Sequence, residues 1–483
     1  MWGRSVVKCS CARLVGPVIS YGFLRFLLVG GLAIFGAFTN VFASEASVGI
    51  VGKNQWLFYR YELSDQSDAA ATDQTLDLIS RFNKVLSAKG IALAIAMVPL
   101  KMRVYAEHLP DHIKLNPYME TNYERMRNLL RQSGVAVLDL NTAFLHSPKR
   151  SGSSPLFYRL DTHWSLSGAM VAAEAVKRDI ESTPPLKKVL HATPEERYHL
   201  IVGKRQIPSQ GRDLIGQLPP NAADYDYEHV MPVSVVRVRP PEIQLFGVGS
   251  ASGIALLGSS YSKDWTGFAD ALRYVLQRNI FSMGVGADQG SWVGMESYLR
   301  SDAFQVQTPK LLIWELPERD MRAPPDYRFR EQRYISNNME WLLRVSALVQ
   351  SGCKPSTVTV KVAQAGLGSL ESQLRDTELK TGPTSESDYL DIEFDKPLGK
   401  LDYVSVIATG QGASSWVAEG SGAGATNRKF VVEVNGDGTP HPVRTPFPSN
   451  GNGFTKVRVF PGKSGGISLR QLQVCRQPSN LFD

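Results

Sequence analysis

Cysteine is scarce in this sequence, with four in 483 residues, and Cys9 and Cys11 both fall within the first 43. No cysteine cluster is left for a structural zinc or an iron–sulfur centre. The eight histidines are scattered along the chain, so no metal site is expected. Neither G-x-G-x-x-G nor a P-loop occurs, which removes the usual cradles for a nucleotide, and no cofactor is expected. A G-x-S-x-G elbow between a strand and a helix is missing too, which argues against the α/β-hydrolase arrangement. Apolar runs stay shorter than the roughly 20 residues of a membrane-spanning helix. Charged residues at 20% and apolar residues at 43% are ordinary for a globular chain and exclude both disorder and a multispanning membrane protein.

What is present begins with an unusual N-terminus. MWGRSVVKCSCARLVGPVISYGFLRF carries four basic residues and no acid, LLVGGLAIFGAF follows, and Val41 and Ala43 are small residues where a signal peptidase reads. This is the pattern of a signal peptide over 1–43, with cleavage near Ala43; an uncleaved anchor is the alternative. Its loss takes four positive charges from a formal net of +7 and leaves about +3, which supports no nucleic-acid reading. Export also puts Cys353 and Cys475 in an oxidising compartment. An even pair there reads as one disulfide, closing a loop of about 120 residues.

Apolar runs of strand length alternate with helical periodicity along the next three hundred residues. The pattern predicts a helix over 71–90, a strand over 91–99, a helix at about 118–133 and a strand over 134–140. A helix to about 180 follows, then strands over 253–259 and 310–316 around a helix at 264–279, and a last helix at 328–351. Strands with helices between them give an α/β domain with a mostly parallel sheet and flanking helices. Residues 183–250 read as a long irregular insertion with some strand near VSVVRVRP. After Gly352 the composition changes: TVTVKV, YLDIEF, DYVSVIA, FVVEV, KVRVF and ISLRQLQV are separated by turn residues, as in an all-β sandwich over 353–483.

Two stretches carry chemistry. YRLDTHWSLSGA sets Asp161 two residues before His163 at the mouth of a helix. IALLGSSYSKDW ends an apolar strand in Gly258 and offers Ser260 in a strand-to-helix turn at the carboxyl edge of the sheet, where open α/β folds hold their reactive groups. A serine hydroxyl needs an adjacent base. His163 can serve as that base, and Asp161 can fix its tautomer. A helix starting near Asp264 or Trp265 would aim its N–H groups at a developing oxyanion.

These residues, with GKNQWLF, MVPLKMRVYAEHLP and LLIWELPERDM in the same order, resemble the alginate O-acetyltransferase AlgX/AlgJ family. The resemblance implies an SGNH-hydrolase-like catalytic domain over 44–352 and a carbohydrate-binding module over 353–483. It also implies a periplasmic location and transfer of acetyl groups onto an exopolysaccharide, with Ser260 as nucleophile, His163 as base and Asp161 as orienting acid. The donor would be a membrane-bound O-acyltransferase system, and other periplasmic polysaccharide-export proteins would be partners. Two departures stand out: the hydrolase signature GDS is here Gly258–Ser259–Ser260, and the family's Gly-Asp-Leu segment is Gly211–Arg212–Asp213–Leu214, one residue longer. Gln289 and Arg319, in the loops after the next two strands, are the expected oxyanion side chains. Trp416, in the Gly/Ser-rich 410–425, is expected either as a sugar platform, with Arg428 and Lys429 for uronate carboxylates, or as a residue of the sandwich core. An esterase acting on the same polymer and a non-catalytic polysaccharide scaffold are the competing readings.

Overall fold

The run IALAIAMV has no polar face, so it is stable only where both faces are covered. In the computed structural model it forms β1 (Ala92–Val98), inside a parallel sheet with β2 (Ala136–Leu138), β3 (Ile254–Gly258), β4 (Ile280–Gly284) and β5 (Leu311–Pro317). The strand order is β4-β3-β5-β1-β2. The structure describes residues 47–483 except 220–223, 239–251, 329–334, 351, 367–372, 376–377, 413–414, 423–424, 447–452 and 480–483; the expected signal peptide lies outside the described residues.

Alternation along the strands divides the interior into two layers. Ala94, Ala96, Ile254, Leu256 and Ile313 pack under helices Leu166–Ser182 and Phe268–Leu276. Leu93, Ile95, Met97, Leu257 and Trp314 pack under helices Ala69–Ser87, Pro117–Gln132, Gly290–Arg300 and Asn338–Val349. Every β1 side chain from Leu93 onward is buried. No helix among the described residues is long and apolar enough to cross a membrane.

Three expectations need correction. The helix expected at 328–351 spans Asn338–Val349; Asn337 caps it by accepting from the N–H groups of Met339 and Glu340. The helix expected at 264–279 is Phe268–Leu276, because Gly267 takes a left-handed φ of 76° and two 3₁₀ turns, Ser260–Ser262 and Asp264–Thr266, precede it. The insertion after residue 183 is more regular than it reads, with helix Pro184–Ala192 and two hairpins. One hairpin pairs Tyr198–Val202 with Val233–Arg237, and the other pairs Ile207–Pro208 with His229–Val230.

The C-terminal region is a sandwich of two five-stranded antiparallel sheets. A disulfide joins Cys353 to Cys475, with Cα atoms 5.2 Å apart. Both cysteines pack with Tyr403 against Ala347 of helix Asn338–Val349. The 410–425 stretch is not a loop: Ser415–Gly422 is a strand flanked on both sides, and its alternation turns Trp416 inward. Trp416 is 3% exposed in the sandwich core and cannot serve as a sugar platform. Glycine and serine mislead here because small residues fill the tight side of a strand as readily as they fill loops. The neighbouring basic residues are paired. Arg428 reaches Glu340 at 2.9 Å, tying the sandwich to helix Asn338–Val349, and Lys429 meets its cross-strand partner Glu419 at 2.7 Å. Lys429 stays exposed and Arg428 partly so, and such surface pairs are worth little.

Candidate active site

The carboxyl ends of β1, β3 and β5 open onto one edge of the sheet. Ser260 follows β3 directly, in a 3₁₀ turn whose first N–H groups are satisfied locally: the Ser259 hydroxyl accepts from the Tyr261 N–H. Asp161 and His163 arrive on the loop before helix Leu166–Ser182, which starts where Ser165 accepts from the Gly168 N–H. A short bridge between Phe157 and Trp164 closes this loop at its base.

The three side chains meet. Ser260 Oγ lies 2.7 Å from His163 Nε2, and His163 Nδ1 lies 2.6 Å from Asp161 Oδ1. Asp161 Oδ1 also accepts the His163 N–H at 2.8 Å, and Oδ2 accepts the Asp213 N–H at 2.8 Å. Burial works to raise the Asp161 carboxyl, but the His163 hydrogen bond, the imidazole charge and these backbone donors outweigh it and hold the group below its ordinary value. Asp161 is buried, whereas Ser260 is half-buried and reachable. A serine hydroxyl, an imidazole and a buried carboxylate in this chain can pass a proton from the serine as it attacks an acyl carbon. Asp161, His163 and Asp213 also bring three donor atoms within 4.8 Å of one another. Those atoms already serve the hydrogen bonds just described, and Asp213 takes both the N–H and the hydroxyl of Thr162.

The two residues expected at the oxyanion are placed differently. Arg319 is buried against the rings of Tyr59 and Tyr261 and donates to the Tyr261 hydroxyl at 3.1 Å. Tyr261, whose phenol burial pushes up, donates in turn to the Thr162 carbonyl. Arg319 therefore touches the triad loop through Tyr261. Gln289 stands just before helix Gly290–Arg300 with no side-chain capping bond, and among the described residues no hydrogen bond joins it to the triad. The displaced helix start at Phe268 also removes the dipole expected to face the serine.

Two buried charges escaped the sequence reading. Glu315, in β5, is fully buried under the serine turn and accepts from the Ser259 N–H at 2.8 Å and from the Ser259 and Ser262 hydroxyls at 3.0 Å. A Cβ on Gly258 would sit 2.3 Å from Glu315 Oε2, so glycine is required there. Lys101, which follows β1, is equally buried. The signal for Glu315 was legible, since it is the one charge inside the apolar LLIWELP. Burial, against those three hydrogen bonds, pushes the Glu315 carboxyl up to about 7. A carboxyl raised on folding stabilises fully below its ordinary value and loses that contribution as pH rises through about 7. The thermal midpoint of the native chain minus that of Glu315→Gln should therefore shrink between about pH 5 and pH 8. A difference that stays level across that range would contradict the assignment.

Beside the triad, Trp265 stands with its ring 4.9 Å from the His163 ring, edge on. It also walls a cavity of about 990 Å³ that Trp56, Tyr158, Leu166, Ile207 and Met231 help to line. Arg150, Arg159, Glu228 and Asp264 line it too, so the insertion hairpins help to build a space of mixed polar and apolar character beside Trp265.

Residues 50–318 match the family model for the SGNH hydrolase-like domain of acetyltransferase AlgX. The chain is 29% identical over 316 residues to a probable alginate O-acetylase AlgJ of Pseudomonas syringae pv. tomato, covering 61% of this chain and 74% of that protein. It is 22% identical over 338 residues to the alginate biosynthesis protein AlgX of Pseudomonas fluorescens, covering 68% and 64%. Among solved structures, Pseudomonas aeruginosa AlgX superposes with a TM-score of 0.60 at 18% identity, over 89% of this chain and 95% of that one. The O-acetyltransferase domain of Pseudomonas putida AlgJ gives 0.50 at 24%, over 63% and 100%. At those identities the two structures speak for the fold alone.

Proposed function

Because the chain belongs to the SGNH hydrolase-like acetyltransferase family of AlgX and AlgJ, we propose that it transfers acetyl groups onto hydroxyls of an exopolysaccharide, alginate or a similar uronate polymer. Ser260 is the nucleophile, His163 the general base and Asp161 the acid that orients it. The observation that carries this reading is the unbroken chain from Ser260 Oγ to His163 at 2.7 Å and from His163 to Asp161 at 2.6 Å.

In the first step Ser260 Oγ attacks the donor's acetyl carbonyl while its proton passes to His163 Nε2. Collapse of the tetrahedral intermediate expels the donor's leaving group, which takes that proton, and leaves acetyl-Ser260. A sugar hydroxyl then gives its proton to His163 and attacks the acetyl carbon, and Ser260 departs with the proton. Water in place of the sugar would give hydrolysis, so transfer depends on positioning the acceptor and excluding solvent. The cavity walled by Trp265 offers that shelter, and the sandwich over 353–483 holds polymer close to the site. Residues 1–43 direct the chain to the periplasm, where a membrane-bound O-acyltransferase system supplies acetyl groups and other export proteins handle the same polymer.

The test is an acetyl ester donor incubated with the protein, with and without uronate oligomers. Acetylated oligomer in the mass spectrum supports transfer. Ester hydrolysis with no acetylated oligomer would make the protein an esterase, and neither reaction would leave a polymer-binding scaffold.

A further inference from the structure

Lys101 carries an ammonium group where proteins rarely keep one. It follows the carboxyl end of β1, is 1% exposed, and among the described residues has no carboxylate within ion-pair distance. Its three donors instead meet three backbone carbonyls: Leu57 at 2.6 Å, Asp161 at 2.8 Å and Arg159 at 3.0 Å. The rings of Trp56 and Phe58 cover it at 5.3 and 5.5 Å. Two of the three carbonyls belong to the triad loop, one of them to Asp161 itself. The third belongs to a hairpin that pairs Gly49–Val51 with Leu57–Tyr59 and also binds that loop through the Leu57 N–H to the Arg159 carbonyl at 2.9 Å. Burying an ammonium costs several kcal/mol even after relaxation, and a methionine would fill the same space without that cost. The geometry and the charge therefore serve something besides packing.

We propose that Lys101 is a positioning residue of the triad: its ammonium clamps the loop carrying Asp161 to the carboxyl end of β1, and its positive charge favours ionised Asp161. The inference rests on the acyl-transfer reading and deepens it. A cation held on the Asp161 main chain opposes protonation of the Asp161 carboxyl, which must be ionised to orient the imidazole. Burial, only partly offset by the carboxylates of Glu62, Asp161, Glu228 and Asp213, lowers the Lys101 ammonium to about 8, so the clamp loses its charge above neutral pH.

The experiment follows kcat and KM against pH for the full chain, Lys101→Arg and Lys101→Met, with an acetyl ester and uronate oligomers. In parallel, the rate of Ser260 sulfonylation by phenylmethanesulfonyl fluoride is measured. The expected result is an alkaline fall in kcat near pH 8 for the native chain, shifted upward beyond the measured range in Lys101→Arg, whose charge persists. Lys101→Met should lose roughly 10- to 100-fold in kcat and in sulfonylation rate at neutral pH, with KM nearly unchanged. Unfolding does not mimic the alkaline limb. A lysine lowered on folding leaves the unfolded chain holding more protons between about pH 8 and its ordinary value, so its contribution to stability rises there while activity falls. A folded Lys101→Met with native kcat and sulfonylation rate overturns the proposal. Should that variant fail to fold, an alkaline limb in Lys101→Arg identical to the native one overturns it equally. No sulfonylation of Ser260 in the native chain would instead sink the acyl-transfer reading itself.

Discussion

Ser260→Ala leaves a folded protein that no longer transfers acetyl groups, with kcat reduced by roughly 10⁴-fold or more. The fold survives because the Ser260 side chain is half-buried and, among the described residues, its hydroxyl bonds only to His163, while Ser259, Ser262 and Glu315 hold the turn. His163→Ala should cost about as much. The double substitution should add little, since serine and imidazole act as one unit and the loss of either ends nucleophilic attack. The measurement is acetylated uronate oligomer by mass spectrometry, with the near-ultraviolet dichroism of each variant as the check on folding. Polymer acetylation that persists in Ser260→Ala would refute the acyl-enzyme.

The largest expected effect on stability comes from Arg103→Met. Arg103 and Glu318 form an ion pair in which both side chains are buried, the second of them just after β5. The guanidinium also donates to the Asn141 side chain at 3.0 Å and to the Met119 carbonyl at 2.9 Å, while Glu318 accepts the Leu100 N–H at 3.2 Å. One cluster thus ties together the segments after β1 and β5 and helices Pro117–Gln132 and Leu140–Leu145. Removing Arg103 strands a buried carboxylate, and breaking such a pair costs roughly 3–5 kcal/mol. Removing Glu318 as well, in Arg103→Met with Glu318→Leu, should recover part of that loss because no lone charge is left inside. Denaturant midpoints measure both, and a single variant as stable as the native chain would contradict the account.

The legible parts of this protein share one property: their signal is local. Uninterrupted apolar runs such as IALAIAMV have no alternative to a doubly covered strand, and helical spacing in 71–90 and 118–133 fixes helices within a few residues of Ala69–Ser87 and Pro117–Gln132. DTHW and GSSYS were legible as halves because each pairs reactive side chains with a turn and a helix start. The displaced helix after Ser260 was not, because a left-handed Gly267 and the hydroxyl cap of Ser259 act through backbone angles that composition hides. Trp416 failed for the opposite reason. A Gly/Ser-rich run gives no periodicity, and only its two strand neighbours show that its small residues line a sandwich interior.

The sequence by itself determined the layered α/β architecture, the β-rich C-terminal region, and the residue types that chemistry would use, because burial pattern and turn chemistry are written within a few residues of one another. Tertiary structure alone decided that Arg319 touches the loop through Tyr261, that Glu315 lies under the serine turn, and that Lys101 grips the Asp161 carbonyl. Those contacts join segments separated by 56 to 99 residues. Which charges end up buried together depends on how strands β1, β3 and β5 sort themselves in the sheet, and strand order is a property of the whole chain.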